Sequence, residues 1–245
     1  MPNTLDAGVP GAVRGIEASL PLGVIRTAAR TAHWVVENAR STRAFLKRVD
    51  AVVALAQPLQ SVSIVELPRA RKGAPIAAPP DHAALLAPLR QGHDMALQSE
   101  AGLPGVADPG ASLVQAAHAE GLRVIALPGP SSLLLALAAS GLNGQSFAFV
   151  GYLPVDAAER ASRIREVEGL SRRWRQTQLM IETPYRNPAL LAALIEHLQP
   201  TTRLSVSCGL TLDSESNRCD SVAVWRRGPV TLPADVPAVF AVLAG

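Results

Sequence analysis

The 245-residue sequence is short of cysteine, of aromatic rings and of long apolar runs, and each shortage removes a class of protein. The two cysteines, Cys208 and Cys219, lie in separate segments, form no C-x-x-C pair and share no metal-ligand spacing with the five histidines. That sets aside a disulfide-stapled scaffold and a zinc module, and a reduced, cytoplasmic protein without a metal is expected. Aromatics make up 4%, and Ala, Leu and Val dominate the 48% hydrophobic content. Small aliphatics packed between helices and sheet suit this composition better than a sandwich of stacked rings. No apolar stretch reaches the roughly 18 residues of a membrane span, and the first residues lack the charged-then-apolar pattern of a signal peptide. No G-x-G-x-x-G follows a strand and no G-x-x-x-x-G-K-[ST] occurs, which disfavours nicotinamide-type and Walker phosphate sites. Gly129-Pro-Ser131 has Leu133 where a hydrolase nucleophile elbow needs glycine. No repeat of 20–50 residues is visible.

The balance of charge is mild, a formal +3 with 18% charged residues. Arginines concentrate at Arg160, Arg163, Arg165, Arg172, Arg173 and Arg175, against Glu159, Glu166 and Glu168. Two readings stay open for this run: a solvated helix face of mixed charge, or a patch for a phosphate backbone. Only Trp174 offers an aromatic to support the second.

Apolar runs alternate with helical patterns through the first half. Helix 21–31, strand 33–36, helix 42–49 capped by Ser41, strand 61–67, a loop over 68–80 and helix 81–91 capped by Asp81 come first. Strand 93–98, helix 110–120, strand 123–127 and helix 131–140 complete two βα units, which argue for a parallel sheet. After Gly141-Leu-Asn-Gly144 the texture changes. Strand 147–150, helix 156–170, strand 178–181, helix 188–198 and strands 203–207, 221–225 and 238–243 predict a mixed sheet. The expected division is therefore a domain over 1–142 and another over 143–245, with the boundary near 142–146.

Polar groups gather at strand ends, where open α/β sheets build ligand sites. After strand 93–98 comes Ser99-Glu-Ala-Gly-Leu-Pro-Gly-Val-Ala-Asp-Pro-Gly110, and after strand 123–127 comes Leu127-Pro-Gly-Pro-Ser-Ser132. Small side chains, free backbone N–H groups and carboxylates suit a polar, flattened cofactor held by main-chain atoms. Ser131 and Ser132 read equally as helix caps and as hydroxyls for an anionic ligand group. Asp108 before Pro109 reads equally as the cap of helix 110–120 and as a site carboxylate. Glu182 and Arg186, four residues apart across a proline turn, form either a surface ion pair or part of a site. Glu37, Arg40 and Arg43 make a similar cluster after strand 33–36.

Taken together these segments resemble the tetrapyrrole methylase superfamily of S-adenosylmethionine-dependent enzymes. Residues 99–110 are similar to its Ser-Asp-Ala-Gly-Thr-Pro-x-x-Ser-Asp-Pro-Gly signature. Glu37-Asn-Ala-Arg40, Leu127-Pro-Gly-Pro130, Gly151-Tyr-Leu-Pro154 and Ile181-Glu-Thr-Pro-Tyr-Arg186 resemble, in order, motifs of its small-subunit ribosomal RNA 2′-O-ribose (cytidine) methyltransferase branch. The resemblance implies two α/β domains, an N-terminal parallel sheet and a C-terminal mixed one, with the cofactor in the cleft between them, and a homodimer. It places cofactor contacts on Glu100, Ala101, Gly102, Val106, Ala107, Ser131, Ser132, Ile181, Glu182, Leu210 and Pro237. Glu37, Arg40, Arg43 and Arg186 fall on the substrate side, with ribosomal RNA or the small-subunit particle as partner. The chain departs from the signature in Glu100 for aspartate and Leu103 for threonine. Of the loop that opens the branch only Pro2-Asn-Thr-Leu-Asp6 stands here, without the hydrophobic strand before it.

Methyl transfer from a sulfonium is an in-line displacement, so the protein's task is to align the acceptor and exclude water. A ribose hydroxyl also profits from a general base. Glu100, Asp108 and Glu182 are the carboxylates expected to serve, and the residues alone do not rank them. Two alternatives stand beside ribose methylation: methyl transfer to a tetrapyrrole or other small molecule, and a catalytically silent relative that binds RNA or protein.

Overall fold

The computed structural model describes residues 1–6, 14–68, 81–228 and 230–245. The described residues up to Pro130 form one compact unit and those from Ser131 onward a second. The sequence places this division near 142–146; the structure draws it earlier because helix 132–140 packs on the second unit's sheet.

The first unit is built on three parallel strands, β1 (His33–Val36), β2 (Ser63–Glu66) and β3 (Met95–Gln98), in the order β2-β1-β3. Central β1 is apolar after His33 because both its faces are covered, as a parallel strand requires. Trp34 and Val36 enter a cluster with α1 (Leu22–Arg30) and α2 (Ala39–Val52), against Ile25, Ala28, Phe45, Leu46 and Val49. Val35 faces the other layer, where it meets Leu86 and the Leu113 and Ala117 side chains of α5 (Ala111–Ala119). Withdrawing each such side chain from water contributes about 1.5–3 kcal/mol. Asp81 does cap a helix, accepting from Ala84 N–H at 3.0 Å, but the segment forms two short helices, α3 (His82–Leu85) and α4 (Ala87–Arg90). The expected 68–80 loop lies, from 69 on, outside the described residues.

Two expectations are corrected in this unit. Asn38, not Ser41, caps α2: its Oδ1 accepts from Arg40 N–H and Ser41 N–H at 2.9 and 3.3 Å, starting the helix three residues early. Segment 123–127 is no strand. Its backbone pairs with no neighbour among the described residues, and Val124 and Ile125 are 41% and 60% exposed. The apolar pattern of a buried strand is present there without a ladder to bury it.

The second unit carries a five-stranded mixed sheet, order β4-β5-β8-β6-β7, from β4 (Phe147–Phe149), β5 (Thr177–Ile181), β6 (Arg203–Cys208), β7 (Ser216–Ser221) and β8 (Ala238–Leu243). Only β4 and β5 run parallel; the other pairs are antiparallel. Met180, Leu204, Val206 and Phe240 pack against Ile164 and Val167 of α7 (Ala157–Trp174) and Leu190 and Leu194 of α8 (Asn187–His197). Helix α6 (Ser132–Ser140) lies against β6, β7 and β8. The buried Glu168 of α7 is satisfied locally, accepting from Gln199 N–H at 2.8 Å and from the Thr202 hydroxyl. Residues 221–225, expected as a strand, hold the helical turn α9 (Val222–Trp225). Trp225 Nε1 donates to Leu204 O at 2.9 Å and Val222 N–H to Thr202 O at 2.9 Å, and these contacts override β propensity.

Candidate functional site

In the first unit the ends of β1 and β3 bring three carboxylates together. Glu37 continues the parallel ladder, its N–H donating to Gln98 O at 3.0 Å, so its side chain emerges beside the turn that follows β3. That carboxylate accepts from Glu100 N–H at 3.1 Å. The turn then returns Asp108 toward Ser99, Glu37 and Glu100. Half-buried, Asp108 has its carboxyl pushed up to about 6, first by burial and then by the negative Glu37, with Glu100 adding less. A hydrogen bond with Ser99 works the other way and is outweighed; the Ser99 hydroxyl also donates to Ala101 O at 2.9 Å. Asp108 does not cap α5; Gly110 occupies that position at φ +122°.

The turn's backbone is unusual. Ala107 is held at φ +63°, a left-handed conformation that a side chain rarely adopts and that concentrates at functional sites. The amides of Ala101 and Ala107 donate to no other described residue. Asn3 staples the turn from outside: its N–H donates to Gly102 O at 2.9 Å, and Nδ2 reaches Glu100 O at 2.9 Å and Ser99 O at 3.2 Å. The second bend lies alongside. A Cβ at Gly102 would sit 3.5 Å from Pro130 O, and one at Gly129 would collide with Pro2. The two bends expected to act together are therefore neighbours even though 123–127 is not a strand.

Beside the turn opens a cavity of about 500 Å³, lined among others by Asn38, Arg40, Ser41, Phe45, Arg48 and Glu100. Arg48 is fixed by Asp6 at 2.9 and 3.2 Å and by Arg14 O at 2.8 Å. Arg43 is exposed one turn further along α2 and does not line it. Gln98, on the same strand face as Ala96, is 1% exposed with both side-chain amide atoms unpartnered among the described residues. Asn3, Arg48 and Gln98 were not singled out from the sequence. A buried amide at a strand's carboxyl end next to a glycine turn is the signal that marks Gln98.

The second unit gathers its own set. Glu182, past the end of β5, has a side chain only 3% exposed, with Arg186 Nη2 at 3.0 Å and Thr183 N–H at 2.8 Å. The Glu182–Arg186 pair is thus buried at its carboxylate and not a surface pair. Leu210 sits between Gly209 at φ +64° and Thr211 at φ +70°, and Gly209 N–H donates to Pro237 O at 2.9 Å. Ser131 takes the N-cap position of α6, yet its hydroxyl makes no capping bond; Ser132 is the first helical residue. Ile181 lies opposite Val239, two residues beyond Pro237. Among the described residues no group of His, Cys, Asp and Glu is arranged to hold a metal ion, and no helix is long and apolar enough to cross a membrane.

Comparison with known proteins places these features in a family. The crystal structure of diphthine synthase matches at a TM-score of 0.57 and 13% identity, covering 91% of this chain and 84% of that one, a likeness of fold. A ribosomal RNA small subunit methyltransferase I of Mesorhizobium japonicum is 38% identical over 134 residues, 55% of this chain and 44% of its own. The protein of that name from Pseudomonas aeruginosa is 44% identical over 98 residues, 40% of this chain and 33% of its own. These matches span less than half the length of the curated relatives. The family model of the tetrapyrrole (corrin/porphyrin) methylases matches residues 26–218, most of the chain, and the protein belongs to that family.

Proposed function

We propose that the protein is an S-adenosylmethionine-dependent methyltransferase that methylates a ribose 2′-hydroxyl of small-subunit ribosomal RNA. The observation that carries the reading is the first turn, where Glu37, Glu100 and Asp108 converge beside a left-handed Ala107 and beside Ala101 and Ala107 amides that donate to no described residue. The names borne by the Mesorhizobium and Pseudomonas relatives support small-subunit ribosomal RNA as the substrate, and the ribose 2′-hydroxyl is what the family resemblance implies.

The residues present fit the cofactor. Carboxylates suit its cationic and hydroxyl-bearing parts, and the free Ala101 and Ala107 amides suit its acceptor atoms. Glu100, Ala101, Gly102, Val106 and Ala107 hold it in the first unit. The family resemblance also assigns Ser131, Ser132, Ile181, Glu182, Leu210 and Pro237 to the cofactor. When bound, S-adenosylmethionine supplies an activated methyl group. Asp108 is the base: its carboxylate, ionised above about pH 6, accepts the proton of the acceptor hydroxyl. Glu37 and Glu100 keep that carboxylate basic. Glu182 is held by Arg186 and orders the 181–187 turn, a positioning role. Arg40, Arg43 and Arg186 face the substrate. A cytoplasmic homodimer, as the family resemblance implies, completes the reading.

Methyl transfer to a small molecule is the second reading, favoured by the three carboxylates, which repel phosphate at the turn itself. Calorimetry with S-adenosylmethionine and transfer of labelled methyl to naked 16S-type RNA or small-subunit particles test both. Binding with ribonuclease-sensitive transfer supports the first; ribonuclease-insensitive transfer selects the second; RNA affinity without cofactor binding leaves only a silent binding protein.

A further inference from the structure

The carboxylates at the turn raise a question of electrostatics: an RNA substrate must be held by cations that lie elsewhere. The arginine run 160–175 is largely engaged. Arg163 pairs with Glu166 at 2.7 Å, Arg160 donates to Val155 O at 3.0 Å, Arg172 to Gly245 O at 3.3 Å, and Arg173 stacks on Trp174. Helix α2 differs. Arg40, Arg43 and Lys47 are exposed, and none of their side chains makes an ion pair or hydrogen bond among the described residues. Spacings of three and four place them on one stripe, about 4.5 and 6 Å apart along the axis. Three acids near that helix have partners of their own: Glu37 accepts from Glu100 N–H at 3.1 Å, Glu66 from Ala39 N–H at 2.7 Å and Asp50 from Leu55 N–H at 2.9 Å.

The stripe also leads somewhere. Arg40, its first member, lines the cavity that Glu100 also lines. At about 500 Å³ this falls within the roughly 300–1,000 Å³ of small-ligand sites. Hydroxyl and amide groups of Thr4, Ser41 and Asn38 together with the Phe45 ring line it, a set suited to a sugar and a base edge.

We infer that the exposed face of α2 is a track for a single-stranded RNA backbone, with Arg40, Arg43 and Lys47 contacting successive phosphates and one nucleotide entering the adjoining cavity. This rests on the ribosomal RNA reading above and adds to it the surface that binds the strand. It accounts for an acidic turn in an RNA-binding protein, because phosphates stay on the helix and only a neutral sugar reaches the carboxylates.

The test is the salt dependence of binding to a fluorescein-labelled single-stranded RNA, followed by anisotropy. Each phosphate contact contributes about 0.7 to the slope of log affinity against log salt. The triple variant R40Q/R43Q/K47Q is expected to lower that slope by about 2 and to weaken binding at least about tenfold near 0.1 M salt. The exposed α7 variant R165Q/R172Q/R173Q is expected to change neither. Equal losses in both variants, an unchanged slope in the first, no RNA binding by the unaltered protein, or binding of anionic vesicles in place of RNA overturns the proposal. S-adenosylmethionine binding is measured calorimetrically on the same samples. Its retention by the α2 variant shows that the fold is intact; its absence from the unaltered protein, with the RNA slopes as expected, sinks the methyl-transfer reading and leaves this one standing.

Discussion

Replacing Asp108 by asparagine separates the electrostatics of the turn from its shape. A carboxyl held at about 6 in the fold and at its ordinary 3.8 when unfolded binds its proton more tightly in the native state. The sign follows: stability is intact below about pH 4, falls as pH climbs through 6, and stays lowered above. A shift of about two units corresponds to nearly 3 kcal/mol at about 1.36 kcal/mol per unit. Asp108 is only half-buried, and solvent screening reduces the expected effect to roughly 1 kcal/mol. Asp108→Asn, neutral at every pH, escapes the loss. Its Tm is expected to match the unaltered protein near pH 4.5 and to exceed it by about 2–4 °C near pH 7.5. Methyl transfer is expected to rise through about pH 6 in the unaltered protein, and in the variant to drop about 10²-fold or more and lose that inflection. A carbon-13 titration of the side chain reads the midpoint directly. Parallel Tm profiles together with a midpoint near 4 would refute the reasoning.

Two further outcomes concern the frame of the site. Gly110→Ala places a side chain at φ +122° with its Cβ 2.8 Å from Leu97 Cδ2; a loss of about 1–3 kcal/mol in urea unfolding is expected, with weaker cofactor binding in proportion. Arg186→Met leaves the Glu182 carboxylate buried without its cation, which costs about 3–5 kcal/mol at full burial. Because Arg186 keeps 22% of its side chain in solvent, about 2 kcal/mol is expected, and the double variant E182Q/R186M should recover most of it in the same assay.

The chain's legibility varied with how far local pattern and tertiary contact agree. The runs at 33–36 and 238–243 read as strands because nearly continuous apolar residues need cover on both sides, and 203–207 because Leu204 and Val206 alternate with polar residues; all three are strands. Segment 123–127 carries the same pattern but finds no ladder among the described residues, so periodicity alone misplaced it. Ser216–Ser221, polar throughout, became β7 only through its pairing with β6, a contact that no local signal announces. Within the site, the glycine- and proline-rich turn was legible from its composition. The convergence of Glu37 with Asp108 was not, since it depends on β1 and β3 lying in register, His33 opposite Met95. The Asn3 staple was hidden for the same reason.

The bare 123–127 segment has a practical consequence. A row of apolar side chains whose amides and carbonyls find no partner among the described residues is a template on which a second extended chain can zip, the hazard that natural sheets blunt with charge at their margins. Arg123 is the single charged gatekeeper on that segment. Handling at high concentration should therefore favour self-assembly through this margin, and a lysine or glutamate at Ile125, which is mostly in solvent, is the conservative place to restore colloidal behaviour.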